Sequence, residues 1–271
     1  MMPALLRTLV FLLLPLMPLA HPARVMSWNL LNFSSSSSAR VPHYQTVIDS
    51  MRPEILVVQE MQGASAASYF HTEVLGSSMA MAPFVNGYDT DNVLYFDASV
   101  FEAIGTEAIN TTHRDITQFK LRHHHSGDTL RVFSVHLKAS PGGSNAIQRA
   151  SEVDSLRKVT DALPTNAHFI VCGDFNIYGS SEAAYQRLMD NNGTGGHCID
   201  PISLSGTWNN AAYAAHHTQS PRTRSFGGGA SGGMDDRIHR QYHQKKVLSF
   251  CRGFTRPSAT QKGYFWMLTT E

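Results

Sequence analysis

The sequence predicts an α/β (α+β) chain, on three observations. First, short unbroken apolar runs, each ending in a polar residue, recur at 24–30, 55–60, 131–138 and 169–176. Runs of that length read as buried strands. Second, stretches with helical spacing separate them, above all at 146–163, long enough to cross back to the strand at 169–176. Third, 42% of the 271 residues are hydrophobic and only 16% are charged, which supports a substantial core and excludes a disordered or coiled-coil chain.

The first strand, 24–30, ends in Trp28, Asn29 and Leu30. A serine run at 34–38 follows as a polar loop. Residues 44–51 carry Tyr44, Val47, Ile48 and Met51 on one helical face, and Pro53 stops the helix. The run 55–60 is a core strand that ends in Glu60. Glu is disfavoured in strands, so Glu60 is either solvent-exposed or a ligand. The middle of the chain reads as hairpins, with strands at 92–96, 115–121 and 129–137 and a turn at 124–128. His136 lies inside the last of these. The triplet His123, His124 and His125 invites a metal reading, but consecutive residues of an extended segment alternate sides, so a solvated turn is expected. The helix at 146–163 repeats Ile147, Ala150, Val153, Leu156 and Val159 on one face. The strand 169–172 then runs into Gly173, Asp174, Phe175 and Asn176. Asp174 and Asn176 are two apart, so an extended backbone points them to the same side. A second helix at 182–189, capped by Ser180 or Ser181, ends at Asn191, Asn192 and Gly193. From 193 to 233 the chain is loop-rich, with Trp208, Tyr213, His216, His217 and Arg222. Loops of that length usually carry function.

A net charge of +1 provides no global field toward nucleic acid, so any such contact must be local. Three cysteines make no disulfide framework, and Cys172, inside a core strand, is expected to be inert. Residues 1–20 read as a signal peptide. Arg7 precedes an apolar stretch at 9–20, and Ala20 or Ala23 would end it. Pro15 and Pro18 oppose a buried helix, and the stretch is too short to span a bilayer. A secreted or periplasmic protein without stable membrane insertion, and a monomer, is expected.

Five pieces in order carry a family resemblance: SWNLLNF at 27–33, ILVVQE at 55–60, VFSVHLKAS at 132–140, IVCGDFN at 170–176 and GGMDDRI at 232–238. Together they resemble the endonuclease/exonuclease/phosphatase superfamily, the deoxyribonuclease I-like fold, in a secreted bacterial branch. The resemblance implies a four-layer α/β/β/α sandwich over 24–238 and metal-dependent cleavage of a phosphate ester. Carried over by position, Asn29 and Glu60 would hold Mg²⁺, with Mn²⁺ or Ca²⁺ as alternatives. Asp174 would orient or deprotonate the attacking water, Asn176 would donate to the phosphoryl oxygen, and His136 would hydrogen-bond the scissile phosphate. Arg114 and Asp236 match more loosely, as phosphate or substrate contacts. The residue types suit the chemistry. A phosphodiester is anionic, so attack by water needs charge neutralisation, and Mg²⁺ binds through few carboxylates while keeping several waters. The implied activity is a secreted nuclease with nucleic acid as substrate. The alternatives are a phosphatase or phosphodiesterase on lipid or inositol phosphates, and an inactive product.

Residues 239–271 depart from the family pattern. No Ser-Asp-His follows GGMDDRI, so the last catalytic His of the family has no counterpart. Codons for 239–244, read one base along, permit Ile-Asp-(Ser or Asn)-Ile-Ile-Lys, the kind of strand the family has there. A frameshift is therefore expected, with a divergent tail as the alternative. Val247, Leu248 and Phe250 form one brief apolar cluster among basic residues. The tail is accordingly expected to form no regular continuation of the sheets and to leave an open sheet edge, incomplete at the C-terminus.

Overall fold

The computed structural model describes residues 23–200, 203–208, 249–251, 254–255 and 266–268. Residues 1–20, read above as a signal peptide, and Asp236, Tyr213, His216, His217, Arg222, His239 and His243 lie outside them.

Two sheets form the centre. The first is ordered β10-β11-β1-β2-β4-β3 and the second β5-β6-β7-β8-β9. In the first, β1 (Arg24–Phe33) and β2 (Ile55–Met61) run parallel, connected through α1 (Val41–Met51). β4 (Asp91–Phe96) and β3 (Ala80–Met81) complete that side, antiparallel. In the second, β5 (Phe101–Ile109), β6 (Ile116–His123) and β7 (Thr129–His136) form an antiparallel meander. α3 (Gly143–Thr160) then returns the chain to β8 (His168–Asp174), parallel to β7.

The unbroken apolar runs are explained by burial on both faces. Along β8, Ile170 and Cys172 enter the core between the sheets, while Phe169 and Val171 face α3 and α4 (Ala183–Met189). Along β2, Ile55 and Val57 face the other sheet, and Leu56 and Val58 face α1 and α2 (Gly63–Phe70). The result is four layers, helix on sheet on sheet on helix. Cys172 is fully buried, as expected, and burial pushes its thiol up to about 12.

Several expectations shift. α1 buries Tyr44 and Ile48 as its pattern requires and ends at Arg52, left-handed at φ +45° ahead of Pro53. α3 buries Ala150, Val153 and Leu156, but Ile147 is 73% exposed. The first turn of α3 overhangs the sheet, and Arg149 and Glu152 take buried positions instead. The cap of α4 is Glu182, neither Ser180 nor Ser181. The pattern gave no sign of β5, an edge strand with Phe101 alone buried. Its glutamates pair across to β6, Glu102 to Arg122 and Glu107 to Lys120. α2, of small residues, was equally silent.

The tail needs a correction. Ser249–Cys251 forms β9, antiparallel to β8, with Phe250 opposite Ile170. Trp266–Leu268 forms β11 against β1, and Phe254–Thr255 forms β10 against β11. The outer edges of β8 and β1 present rows of backbone N–H and C=O groups that need partners, and β9 and β11 supply them, with β10 pairing on to β11.

Candidate active site

The polar ends of four strands meet at one end of the two sheets, and local backbone distortion is what turns them inward. The pairing of β1 with β2 breaks register between Asn29 and Phe33, and that of β2 with β4 breaks between Val58 and Met61. Within these bulges Asn32 and Glu60 adopt φ +49° and +61°. A β-bulge re-aims a side chain, and here it takes Glu60 out of strand alternation toward the inter-sheet end. Glu60 is partly buried rather than exposed.

Asp174 closes β8, opposite His136 at the end of β7. The backbone between them is tight. At Gly173 (φ +135°) an added Cβ would lie 2.0 Å from the Val135 carbonyl oxygen, so only glycine fits. Asn176 does not share the face of Asp174 through the pleat, as an extended backbone would have it. It sits at φ +49°, and its backbone N–H donates to Asp174 Oδ1 at 3.2 Å. A turn, not strand alternation, brings the pair together. Asn176 Nδ2 donates to the Leu137 carbonyl at 2.9 Å.

Asn29 joins the two sheets. Its Nδ2 donates to Glu60 Oε1 at 2.7 Å and to Asp174 Oδ2 at 2.9 Å, and its Oδ1 accepts from Leu31 N–H. Glu60 Oε2 accepts from Asn32 N–H. His136 Nε2 stands 3.8 Å from Glu60 Oε1. Burial pushes the imidazole below its ordinary value, and Arg114 adds to this, against the pull of Asp174, Glu60 and Asp89. Burial thus favours the neutral imidazole. Its Nδ1 is buried with no hydrogen-bond partner among the described residues.

One ligand atom each from Glu60, His136 and Asp174 fall within 4.8 Å of one another, the one such group among the described residues. Two carboxylates this close repel each other, and a positive charge between them relieves that repulsion. Two carboxylates and a neutral imidazole nitrogen fit a divalent cation, while the Asn29 amide, its Nδ2 donating to both carboxylates, orients them.

Arg114 is brought to the rim and committed to a carboxylate. Its Nε lies 2.9 Å from Asp89 Oδ1 and its Nη2 lies 2.8 Å from Asp89 Oδ2. Burial pushes the Asp89 carboxyl up, but the Arg114 fork, the Thr90 N–H and His113 together outweigh this and hold it below its ordinary value. Asp89 was missed in the sequence, since a lone Asp in a turn carries no signal. Gln59 was missed as well. It is fully buried between the sheets and donates to Ser134 Oγ at 3.2 Å. Arg40 is a third, stacked on the Tyr44 ring at 5.2 Å and donating to the Leu31 carbonyl at 2.9 Å.

The histidine triplet stays at its hairpin. His123 Nδ1 meets Ser126 Oγ, and His124 Nε2 meets the Ala98 carbonyl. Trp208, from the loop-rich stretch, is core, edge-on to Tyr185 at 5.0 Å.

The sequence matches the Endonuclease/Exonuclease/phosphatase family over residues 26–260. Among curated proteins, none matches it. Several solved structures share its fold. The human Nocturnin catalytic domain with bound sulfate anion is 16% identical, with 92% of this chain and 93% of that one covered and a TM-score of 0.56. D. rerio TDP2 complexed with single strand DNA product is 12% identical, with 92% and 97% covered and a TM-score of 0.56. Against a D. rerio TDP2 humanized by 14 mutations, identity is 17%, 59% of this chain is covered, the TM-score is 0.50, and the chain spans 64% of that protein's length. At these identities the likeness is one of fold.

Proposed function

The chain belongs to the Endonuclease/Exonuclease/phosphatase family, and on that premise we propose that it is a secreted, divalent-metal-dependent phosphodiester hydrolase acting on nucleic acid. The observation that carries this is the convergence of Asn29, Glu60, His136, Asp174 and Asn176 at one end of the two sheets. Glu60, with Asn29 beside it, would hold the cation, Mg²⁺ being the first choice. When bound, such a cation neutralises phosphate charge and favours attack by water.

The remaining work falls to the protein's own groups. Asp174, tied to Asn29 and to the Asn176 backbone, would orient a water and take its proton. The Asn176 amide, set by the Leu137 carbonyl, would donate to the phosphoryl oxygen as it gains charge. Neutral His136 can donate a hydrogen bond to the phosphate without a charge to desolvate. Arg114, braced by Asp89, and Asp236 are the further substrate contacts of this reading. Nucleic acid is favoured over lipid or inositol phosphates by the fold shared with a protein whose structure holds a single strand DNA product. Residues 1–20 would direct export, which the N-terminal sequence of protein recovered from the medium or periplasm checks.

The test is hydrolysis by the purified protein of plasmid DNA, sphingomyelin and inositol phosphates, with Mg²⁺ and with chelator. Nicking of DNA that chelator abolishes and Mg²⁺ restores is expected. Phosphate-ester cleavage confined to the lipid or inositol substrates would move the substrate class. Inertness toward all three would sink the enzymatic reading.

A further inference from the structure

Arg149 has no part in the chemistry above, yet its guanidinium is 1% exposed. A charge that deep persists only when its donors are matched. Its partners lie on the two chain segments that leave the site. On the β7 side, Arg149 Nη1 donates to the Lys138 carbonyl at 2.8 Å and to the Ser140 carbonyl at 3.0 Å. On the β8 side, Nε and Nη2 reach Glu182 Oε2 at 3.0 and 2.9 Å. Glu182 Oε1 in turn accepts from Tyr178 N–H at 2.8 Å, and the guanidinium lies 5.1 Å over the Tyr178 ring. Glu152, from the same helix, accepts from Lys138 N–H at 2.9 Å.

We propose that Arg149, braced by Glu182, is a positioning residue that locks the exits of β7 and β8 together and thereby sets His136 against Asp174 and Asn176. The joint it guards is Leu137. The Leu137 N–H donates to the Asp174 carbonyl at 2.9 Å, and its carbonyl accepts from Asn176 Nδ2 at 2.9 Å. One residue further on, Lys138 is held on both its backbone groups from α3. Ser140 follows at φ +78°, a left-handed value costly for a non-glycine residue, with its carbonyl fixed by Arg149. On the other side, Asn176 is two residues from Tyr178, which Glu182 and Arg149 hold. A planar fork reaches acceptors on both exits at once, and a lysine ammonium cannot reproduce that geometry. Displacement of reacting groups by about 1 Å costs roughly 10²-fold in rate.

This inference rests on the active-site reading above, so the test has two arms. Arg149→Lys and Glu182→Gln are made in the full chain. NMR follows the Asn176 side-chain amide and the His136 imidazole, and DNA nicking is measured per folded molecule. Arg149→Lys should keep its far-UV circular dichroism, shift and broaden both signals, and lower kcat about 10- to 100-fold with KM nearly unchanged. Glu182→Gln should do the same to a smaller degree, and it decides the matter if Arg149→Lys does not fold. Unchanged Asn176 and His136 signals in a folded variant overturn the proposal. So does an unchanged kcat with only a lowered melting temperature. If the parent protein cleaves no substrate, the activity reading fails, and the NMR arm alone decides the positioning role.

Discussion

Glu60 and Asp174 are two carboxylates joined through one neutral amide, Asn29, and the residue-scale predictions follow from that arrangement. Glu60→Gln keeps a hydrogen-bond acceptor for Asn29 but removes the charge a cation needs. It should abolish Mg²⁺-dependent hydrolysis while circular dichroism shows an unchanged fold. Asp174→Asn and Asn176→Ala should each cost at least about 10²-fold in activity, the size of a base or oxyanion contribution. His123→Ala, in a hairpin turn away from this cluster, should cost far less in the same assay. Comparable losses from His123→Ala would relocate the site. The residue types were legible in the sequence because each ends, or lies in or just beyond, an apolar run that carries a family motif. Asp89 and Arg40 were not, since an ion pair or a stacked arginine between distant segments leaves no local pattern.

Among elements, the β7–β8 pair carries the most constraint. Gly173→Ala would drive a methyl into the Val135 carbonyl at a φ of +135°. It should destabilise the protein by at least about 3 kcal/mol, read as a lowered urea midpoint. α3 supports that pair with a buried carboxyl. Burial pushes Glu152 above its ordinary value, against its bond from Lys138 N–H and the charges of Arg114, Arg149 and Lys138. The folded state therefore holds this proton more tightly than the unfolded chain does. Its contribution to stability is full below the unfolded value of about 4.3 and is lost as pH rises through the higher folded value. Glu152→Gln should flatten the loss of stability as pH rises above the unfolded value, measured by urea denaturation at a series of pH values. An unchanged slope would show that Glu152 is not the group responsible. At this scale the doubly buried strands were plain in the sequence. β5 was not, because an edge strand stabilised by cross-strand ion pairs has no apolar alternation.

At the scale of the molecule, the short strands after residue 248 close the two sheets. A variant ending at residue 248 removes β9, β10 and β11 and bares the edges of β8 and β1. It should show a lower urea midpoint and concentration-dependent association by size-exclusion chromatography, because unpaired strand edges template contacts between chains. A monomeric variant of undiminished stability would mean that these pairings contribute nothing. No helix among the described residues is long and apolar enough to cross a membrane.

By itself, the sequence determined the doubly apolar strands, and the family motifs it carries implied the layers and the residue types of the site. An unbroken apolar run must be covered on both faces, and a polar residue that ends such a run emerges at the sheet's end. Only the tertiary structure decided how those residues meet. The bulges that turn Glu60, the glycine contact that brings β8 against β7, and the turn that folds Asn176 back onto Asp174 depend on neighbours distant in the chain. The exposure of Ile147 and the burial of Arg149 have the same origin. Helical spacing states which residues share a face, but where α3 starts to overhang the sheet depends on the strands beneath it. The edge strands of the tail show this most plainly, since β9 and β11 pair with the backbones of β8 and β1, which no local pattern in the tail announced.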